Sequence, residues 1–222
     1  MKVVLFGATG MVGQGALREC LLDPDVTSVL AVVRNAELEP HPKLHELVHK
    51  DFLDFSSVAE ALTGYNACLW CLGITSAGMN EADYTRITYG FTMAAAKVLA
   101  ERNPGMTFIF ISGANTDPNG KAMWARVKGK AENGVASLPF KAAYMFRPAF
   151  IQPMHGITSK TRSYRVLYAL FRPFVPVVKV LMSNKFTTSE ILGRAMLAVA
   201  KQGAGKTVLE SPDINAVGQR PA

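Results

Sequence analysis

The sequence predicts an α/β protein built on a doubly wound parallel sheet. Three observations carry that prediction. Short β-rich runs alternate with helical patterns along residues 1–150. The connections between the runs are long enough to hold helices, as parallel crossovers require. The first apolar run, Val3 to Phe6, empties into a glycine-rich turn that opens directly into an amphipathic pattern.

Taken in order, Met11 to Leu22 carries apolar residues at helical spacing and stops at Asp23-Pro24. Val26 to Val33 is a second β-rich run, and Asn35 to Lys43, with Pro40 and Pro42, is a loop. Leu44 to His49 reads as a third strand, Ser56 as the cap of a short helix to Leu62, and Asn66 to Leu72 as a buried fourth strand. Asn80 or Glu81 starts a long helix to Arg102, stopped by Asn103-Pro104-Gly105. Met106 to Ile111 is a fifth strand, about Lys121 to Val135 a helix, and Lys141 to Phe146 a sixth strand. Beyond residue 150, Val166 to Met182 is apolar but holds Pro173, Pro176, Arg172 and Lys179, which argues for broken helices covering a cleft rather than a membrane span. Thr188 or Ser189 caps a last helix to Lys201, and Lys206 to Glu210 closes the sheet. The expected organisation is one domain, residues 1–222: a Rossmann-type core over 1–150 and a small substrate-covering C-terminal region with closing elements over 151–222.

The turn after the first strand reads Gly7-Ala8-Thr9-Gly10-Met11-Val12-Gly13. Gly7 permits the tight exit from the strand, Gly10 a close approach to a pyrophosphate, and Gly13 close packing of helix on sheet. Free N–H groups and the positive dipole end of the helix complete an anion site, to which Thr9, Met11 and Val12 belong. The second strand ends in Val33-Arg34, with no acidic residue to hold a ribose 2′-hydroxyl. A basic residue there accommodates the 2′-phosphate of NADP, so Arg34 favours NADP over NAD; a surface arginine after a strand is the alternative. Asp51 ends the third strand, where it either accepts from an adenine amino group or caps the loop before Phe52.

The bulk composition narrows the function classes. Hydrophobic residues make up 49% and charged residues 18% of 222, which is globular and not disordered. The net charge of +7 comes from scattered residues and not from a dense patch, so nucleic acid is not an expected partner. The excess attracts an anionic cofactor or serves solubility. Cys20, Cys68 and Cys71 are an odd set of thiols, and with no secretory leader in view the expected location is cytoplasmic. Cys68-x-x-Cys71 lies in a buried-strand pattern and reads as apolar filler. His41, His45 and His49 sit among prolines that deny them a helix, so no metal site is expected.

Gly7-x-x-Gly10-x-x-Gly13, Arg34, Asp51-Phe52, Cys71-Leu72-Gly73, Ile111-Ser112-Gly113 and Arg147-Pro148 occur in the order and spacing of short-chain dehydrogenase/reductase proteins. The glycine spacing resembles the extended and atypical branches, and the short C-terminal region is similar to the NAD(P)H-binding, epimerase-like or Tat-interacting-protein-related subgroup. The resemblance implies cofactor contacts from the glycine turn, Arg34, Asp51, Phe52, Leu72, Gly73, Lys128, Arg147 and Pro148. It also implies a Ser, Tyr and Lys site with Tyr and Lys at i and i+4 on one helix face. Ser112 stands where the family serine orients a carbonyl, or is a strand-end turn serine. Lys128, in Arg126-Val127-Lys128-Gly129-Lys130-Ala131-Glu132, matches the family lysine that holds the nicotinamide ribose, or is a solvated charge. Four residues before it stands Trp124, a donor that cannot cycle a proton near neutral pH. Trp124 faces the site or packs in the core. His155 is a candidate near the nicotinamide end or a structural histidine.

These readings lead to an NADP-dependent oxidoreductase acting on a small molecule without the usual tyrosine. The alternative is a non-catalytic NADP-binding sensor or interaction module. The long helix, with Ala94-Ala95-Ala96, offers a homodimer contact or simply packs on the sheet.

Overall fold

The computed structural model describes residues 1–157 and 185–219. Nine strands are found there: β1 (Lys2–Phe6), β2 (Ser28–Val33), β3 (Leu44–Val48), β4 (Ala67–Trp70), β5 (Thr107–Ile111), β6 (Ala142–Arg147), β7 (Phe150–Gln152), β8 (Phe186–Thr188) and β9 (Val208–Glu210). The helices are α1 (Met11–Leu22), α2 (Glu81–Thr85), α3 (Thr92–Arg102), α4 (Met123–Ala136), α5 (Ser189–Gln202) and α6 (Ser211–Gly218). Seven strands form one sheet in the order β3-β2-β1-β4-β5-β6-β9, and every pairing is parallel. That is the doubly wound order, with the chain reversing direction across the sheet between β1 and β4. All seven strands therefore present their carboxyl ends along one edge.

The central strands read as continuous apolar runs because helices cover both faces. On one face Val3, Leu5, Ala31, Leu69 and Phe146 pack beneath α1, α5 and α6. On the other, Val4, Phe6, Trp70, Phe108 and Phe110 meet α3 and α4. Ala95 and Ala96 are fully buried in this second layer, so the alanines of the long helix pack on the sheet. Two ion pairs tie α1 and the turn after it to α5: Arg194 Nε to Glu19 Oε2 at 3.1 Å and Lys201 Nζ to Asp23 Oδ2 at 2.8 Å.

Several boundaries differ from the sequence expectation. The helix expected from Ser56 is a pair of 3₁₀ turns, Ser56–Val58 and Glu60–Leu62, and Ser56 does not cap it: the Asp54 carboxylate accepts the Ser56 N–H at 2.8 Å. The long helix is continuous in path but passes through a π-helical stretch, Arg86–Phe91, between α2 and α3. Asn80 caps its start, accepting the Asp83 N–H at 2.8 Å, and Thr188 caps α5 by accepting the Ile191 N–H at 3.0 Å. The small parallel pair β7–β8 and helix α6 were not expected. The cleft cover expected over Val166 to Met182 lies outside the described residues. Among the described residues, no helix is long and apolar enough to cross a membrane.

Candidate cofactor and substrate site

The glycine turn connects β1 to α1 at the carboxyl edge of the sheet. Gly7 has φ +76°, and a Cβ there would meet the Cys71 carbonyl and the Leu72 nitrogen at 2.7 Å. The turn closes with the Gly10 N–H donating to the Gly7 carbonyl at 2.9 Å. No side chain caps α1 and no acidic residue stands in its first turn. The N–H groups of Met11, Val12 and Gly13 thus have no intrahelical acceptor and face outward with the positive helix end. At Gly10 the one neighbour a Cβ would meet within 4 Å is the Gly7 carbonyl oxygen, at 3.3 Å, so the ground before the helix is open. Gly73, in the loop after β4, is exposed with open space around it. This donor set, with an open approach, fits a pyrophosphate.

Arg34 follows β2 directly, is exposed, and has no ion-pair or hydrogen-bond partner among the described residues. An unpaired guanidinium is available for a phosphate at that strand end. Asp51 is exposed and its Oδ1 accepts the Leu53 N–H at 2.9 Å, so it caps its own loop. Beneath this loop His49 Nε2 lies 2.6 Å from the Asp51 carbonyl and 2.8 Å from that of Asp54. The Phe52 ring is buried against Phe6, Phe55 and Phe91, so any cofactor contact there falls to its backbone. Leu72 is half-buried against the same aromatic layer.

At the β5 end the residues are more committed. Thr116 Oγ1 donates to the Gly113 carbonyl at 2.8 Å, which uses its only proton. The 2.9 Å contact between Ser112 and Thr116 is therefore a bond donated by Ser112. The buried Ser112 hydroxyl closes its own turn and does not aim a proton at the cleft. Lys128, on α4, reaches across to the Ile111 carbonyl at 3.3 Å and lies 5.8 Å above the Phe110 ring. Burial pushes its pKa down to about 8, against the opposing pull of Glu132 one turn on. Val127, Ala131 and Val135 form the buried stripe of α4. Trp124 is half-buried and lines a cavity of about 740 Å³ with Gly113, Asn115, Pro148, Phe150, Lys185 and Glu210. Trp124 thus stands on the wall of a cleft at the same sheet edge as the glycine turn.

Arg147 is placed differently from the cofactor role the resemblance implies. Its Nε donates to Glu132 Oε1 at 2.9 Å and its Nη2 to Glu132 Oε2, a bidentate pair joining β6 to α4. Glu210 stands 3.8 Å from the same guanidinium. Pro148 keeps the cleft, its carbonyl accepting the Ala114 N–H at 3.2 Å. His155, in left-handed backbone at φ +55°, bonds Glu190 at 2.7 Å on α5 and holds that carboxyl below its usual pKa. Cys20, Cys68 and Cys71 are free thiols whose pKa values burial pushes up, so they pack and do not act as nucleophiles. Glu132, Thr116 and Glu210 had not been singled out from the sequence. Only the acidic residue at the end of the closing strand, before Ser211-Pro212, offered a local signal.

Residues 7–136, more than half of the chain, match the family model described as NAD(P)H-binding. The chain belongs to that family. It therefore takes a nicotinamide cofactor. Among curated proteins it is similar to "Protein FMP52, mitochondrial" of Meyerozyma guilliermondii, at 27% identity over 154 residues, covering 68% of this chain and 65% of that protein. The Emericella nidulans relative of the same name is 31% identical over 158 residues, 68% of this chain and 66% of that protein. The chain thus spans about two thirds of those relatives. With the Debaryomyces hansenii protein the identity is 24%, over 98% of this chain and 95% of the relative. All three are named mitochondrial proteins, which overturns the cytoplasmic location expected from the sequence.

Solved structures share the fold at low identity. The Bordetella bronchiseptica enzyme WbmH in complex with NAD+ superposes with TM-score 0.68 at 16% identity, over 94% of this chain and 75% of that one. An oxidoreductase of the short-chain dehydrogenase/reductase family from Burkholderia thailandensis gives 0.69 at 16%, over 97% and 92%. The Rossmann-type fold implied by the glycine spacing and the strand-end motifs is thus shared with short-chain dehydrogenase/reductase and epimerase structures.

Proposed function

We propose that this family member is an NADP-dependent oxidoreductase that reduces a small molecule in the Trp124 cavity. One observation carries the reading: the uncapped glycine turn and the Trp124 cavity share the carboxyl edge of one parallel sheet. Such edges are where doubly wound folds bind ligands. The N–H groups of Met11, Val12 and Gly13 hold the pyrophosphate, Arg34 the 2′-phosphate, and Lys128 the nicotinamide ribose. The cofactor supplies a hydride when bound; the residues of the chain orient the acceptor and keep water out. Trp124, Pro148 and Pro212 form part of the cavity wall, and Ser112, already bonded to Thr116, serves the turn. The names of the relatives support a mitochondrial setting.

A second reading, a non-catalytic NADP(H) sensor, draws on Trp124 in place of the tyrosine acid. The two separate on one assay. Purified protein is titrated with NADPH, and oxidation is then followed at the nicotinamide absorbance with quinones, flavins and aldehydes. Turnover with any acceptor supports the oxidoreductase. Tight NADPH binding with no oxidation across the panel leaves the sensor.

A further inference from the structure

Trp124 removes the usual acid from the cavity, yet the opposite wall carries another titratable group. Glu210 ends β9, beside Arg147 in register on β6, and is one of the residues that line the Trp124 cavity. Its placement is unusual for a helix cap. Glu210 caps α6, its carboxylate accepting the Asp213 N–H while Asp213 accepts the Glu210 N–H at 2.9 Å. The next residue, Ser211, is a far better capping type, but its hydroxyl is turned to accept the Ala149 N–H at 3.0 Å. A glutamate of the cavity wall thus takes the cap that the serine one residue later leaves to it.

The charges around Glu210 do not neutralise it. Arg147 is already gripped by both oxygens of Glu132 and stands 3.8 Å from Glu210. Lys206 is paired with Asp213 at 2.7 Å. Asp213 and Glu132 add negative charge and Lys206 a positive one, and Lys185 lines the same cavity. Burial outweighs Arg147 and raises the carboxyl pKa above its ordinary value. Among the described residues lining the cavity, Glu210 is the sole carboxyl.

We propose that Glu210 is the proton donor of this cavity, acting on a carbonyl substrate. The proposal rests on the oxidoreductase reading above. The carbonyl carbon takes a hydride, with its electron pair, from the reduced nicotinamide. The C–O π pair moves to oxygen, and that oxygen takes the proton of the Glu210 carboxyl. An alcohol leaves with an oxidised nicotinamide, and the Glu210 carboxylate regains a proton from solvent through its exposed side.

The test uses the full chain with NADPH and 4-nitrobenzaldehyde as the probe, comparing wild type, Glu210→Gln and Glu210→Asp. Aspartate is a good capping residue, so that variant keeps α6 intact while drawing the carboxyl back by one methylene. Both variants should lower kcat about 100-fold or more, with the NADPH dissociation constant and aldehyde KM unchanged. The wild-type rate should fall as pH rises through the carboxyl pKa, and the glutamine variant should lose that limb. A carbon-13 titration of the cofactor-free protein, with Glu210 assigned by its absence in the glutamine variant, should place that carboxyl above 4.5. A glutamine variant as fast as wild type, or a carboxyl titrating at or below 4.5, overturns the acid and leaves the oxidoreductase standing. Wild type that binds NADPH but reduces neither the aldehyde nor any other acceptor overturns the acid and the oxidoreductase together.

Discussion

Gly13 lies directly beneath the carbonyl of Gly7: a Cβ on Gly13 would stand 2.0 Å from that oxygen and 2.6 Å from its carbon. The first turn of α1 thus rests on the last residue of the β1 exit, and nothing larger than hydrogen fits between them. Gly10 differs, because its nearest obstacle is the same oxygen at 3.3 Å. Gly13→Ala should therefore destabilise the fold by at least ~3 kcal/mol, since the clash is with backbone that cannot rotate away. Gly10→Ala should fold nearly as well as wild type but lose NADPH affinity, its methyl occupying the open ground before the helix. Thermal melts and NADPH titration of the two variants separate the effects; similar melting points would refute the distinction.

Arg34 is exposed and unpaired among the described residues, so removing it costs the fold little. Bonds from a guanidinium to a phosphate are charge-assisted, worth on the order of 1.5–3 kcal/mol. Arg34→Ala should weaken NADPH binding about 10- to 100-fold and leave NADH binding nearly unchanged. Fluorescence titration with both cofactors checks this. Selectivity that survives the substitution would remove Arg34 from the 2′-phosphate site.

Lys128 carries a cost that the site imposes on the fold. Its folded pKa lies near 8, below the ordinary 10.5, because burial disfavours the ammonium. Between those values the unfolded chain holds a proton that the folded chain has released, so this group makes stability rise with pH. Below about pH 8 both states are charged and the full penalty is present. Lys128→Met should thus melt higher than wild type at pH 7, with the gap closing between pH 8 and 10.5, while NADPH affinity falls. Melting curves at stepped pH decide it; a gap that widens with pH has the wrong sign.

How much of this was legible in the sequence follows from how local each signal is. The β1–turn–α1 unit was readable because its strand, glycines and helix pattern occupy one contiguous stretch, and α1 runs from Met11 to Leu22 as its spacing predicts. Strands β7 and β8 were not, being three residues each and joined only across a long stretch of chain. Phe52 looked like part of a cofactor motif, but three neighbouring rings draw it into the core. Ser112 sits where the motif puts it, and Thr116, a hydroxyl four residues on, accepts its hydrogen bond. The Arg147 partner is equally invisible in the sequence: Glu132 is fifteen residues away and reaches it only because α4 packs on β6.

That Arg147–Glu132 pair offers a test of what anchors α4, and with it Trp124 and Lys128. Glu132 is almost fully buried and Arg147 largely so, with side-chain exposures of 6% and 20%. Truncating Glu132 leaves Arg147 only the more distant Glu210 carboxylate at 3.8 Å, and breaking a buried pair in this way typically costs about 3–5 kcal/mol. Glu132→Ala should fall in that range, lowering the melting point by ~2–4 °C per kcal/mol in a chain of this size. Replacing both groups with apolar residues of similar volume, Glu132→Leu with Arg147→Met, should recover most of the loss, because the desolvation cost disappears with the charges. A double-mutant cycle measured by urea unfolding gives the coupling directly. If the double variant is as unstable as the sum of the singles, the pair is not acting as a unit, and α4 is held by the packing of Val127, Ala131 and Val135 instead.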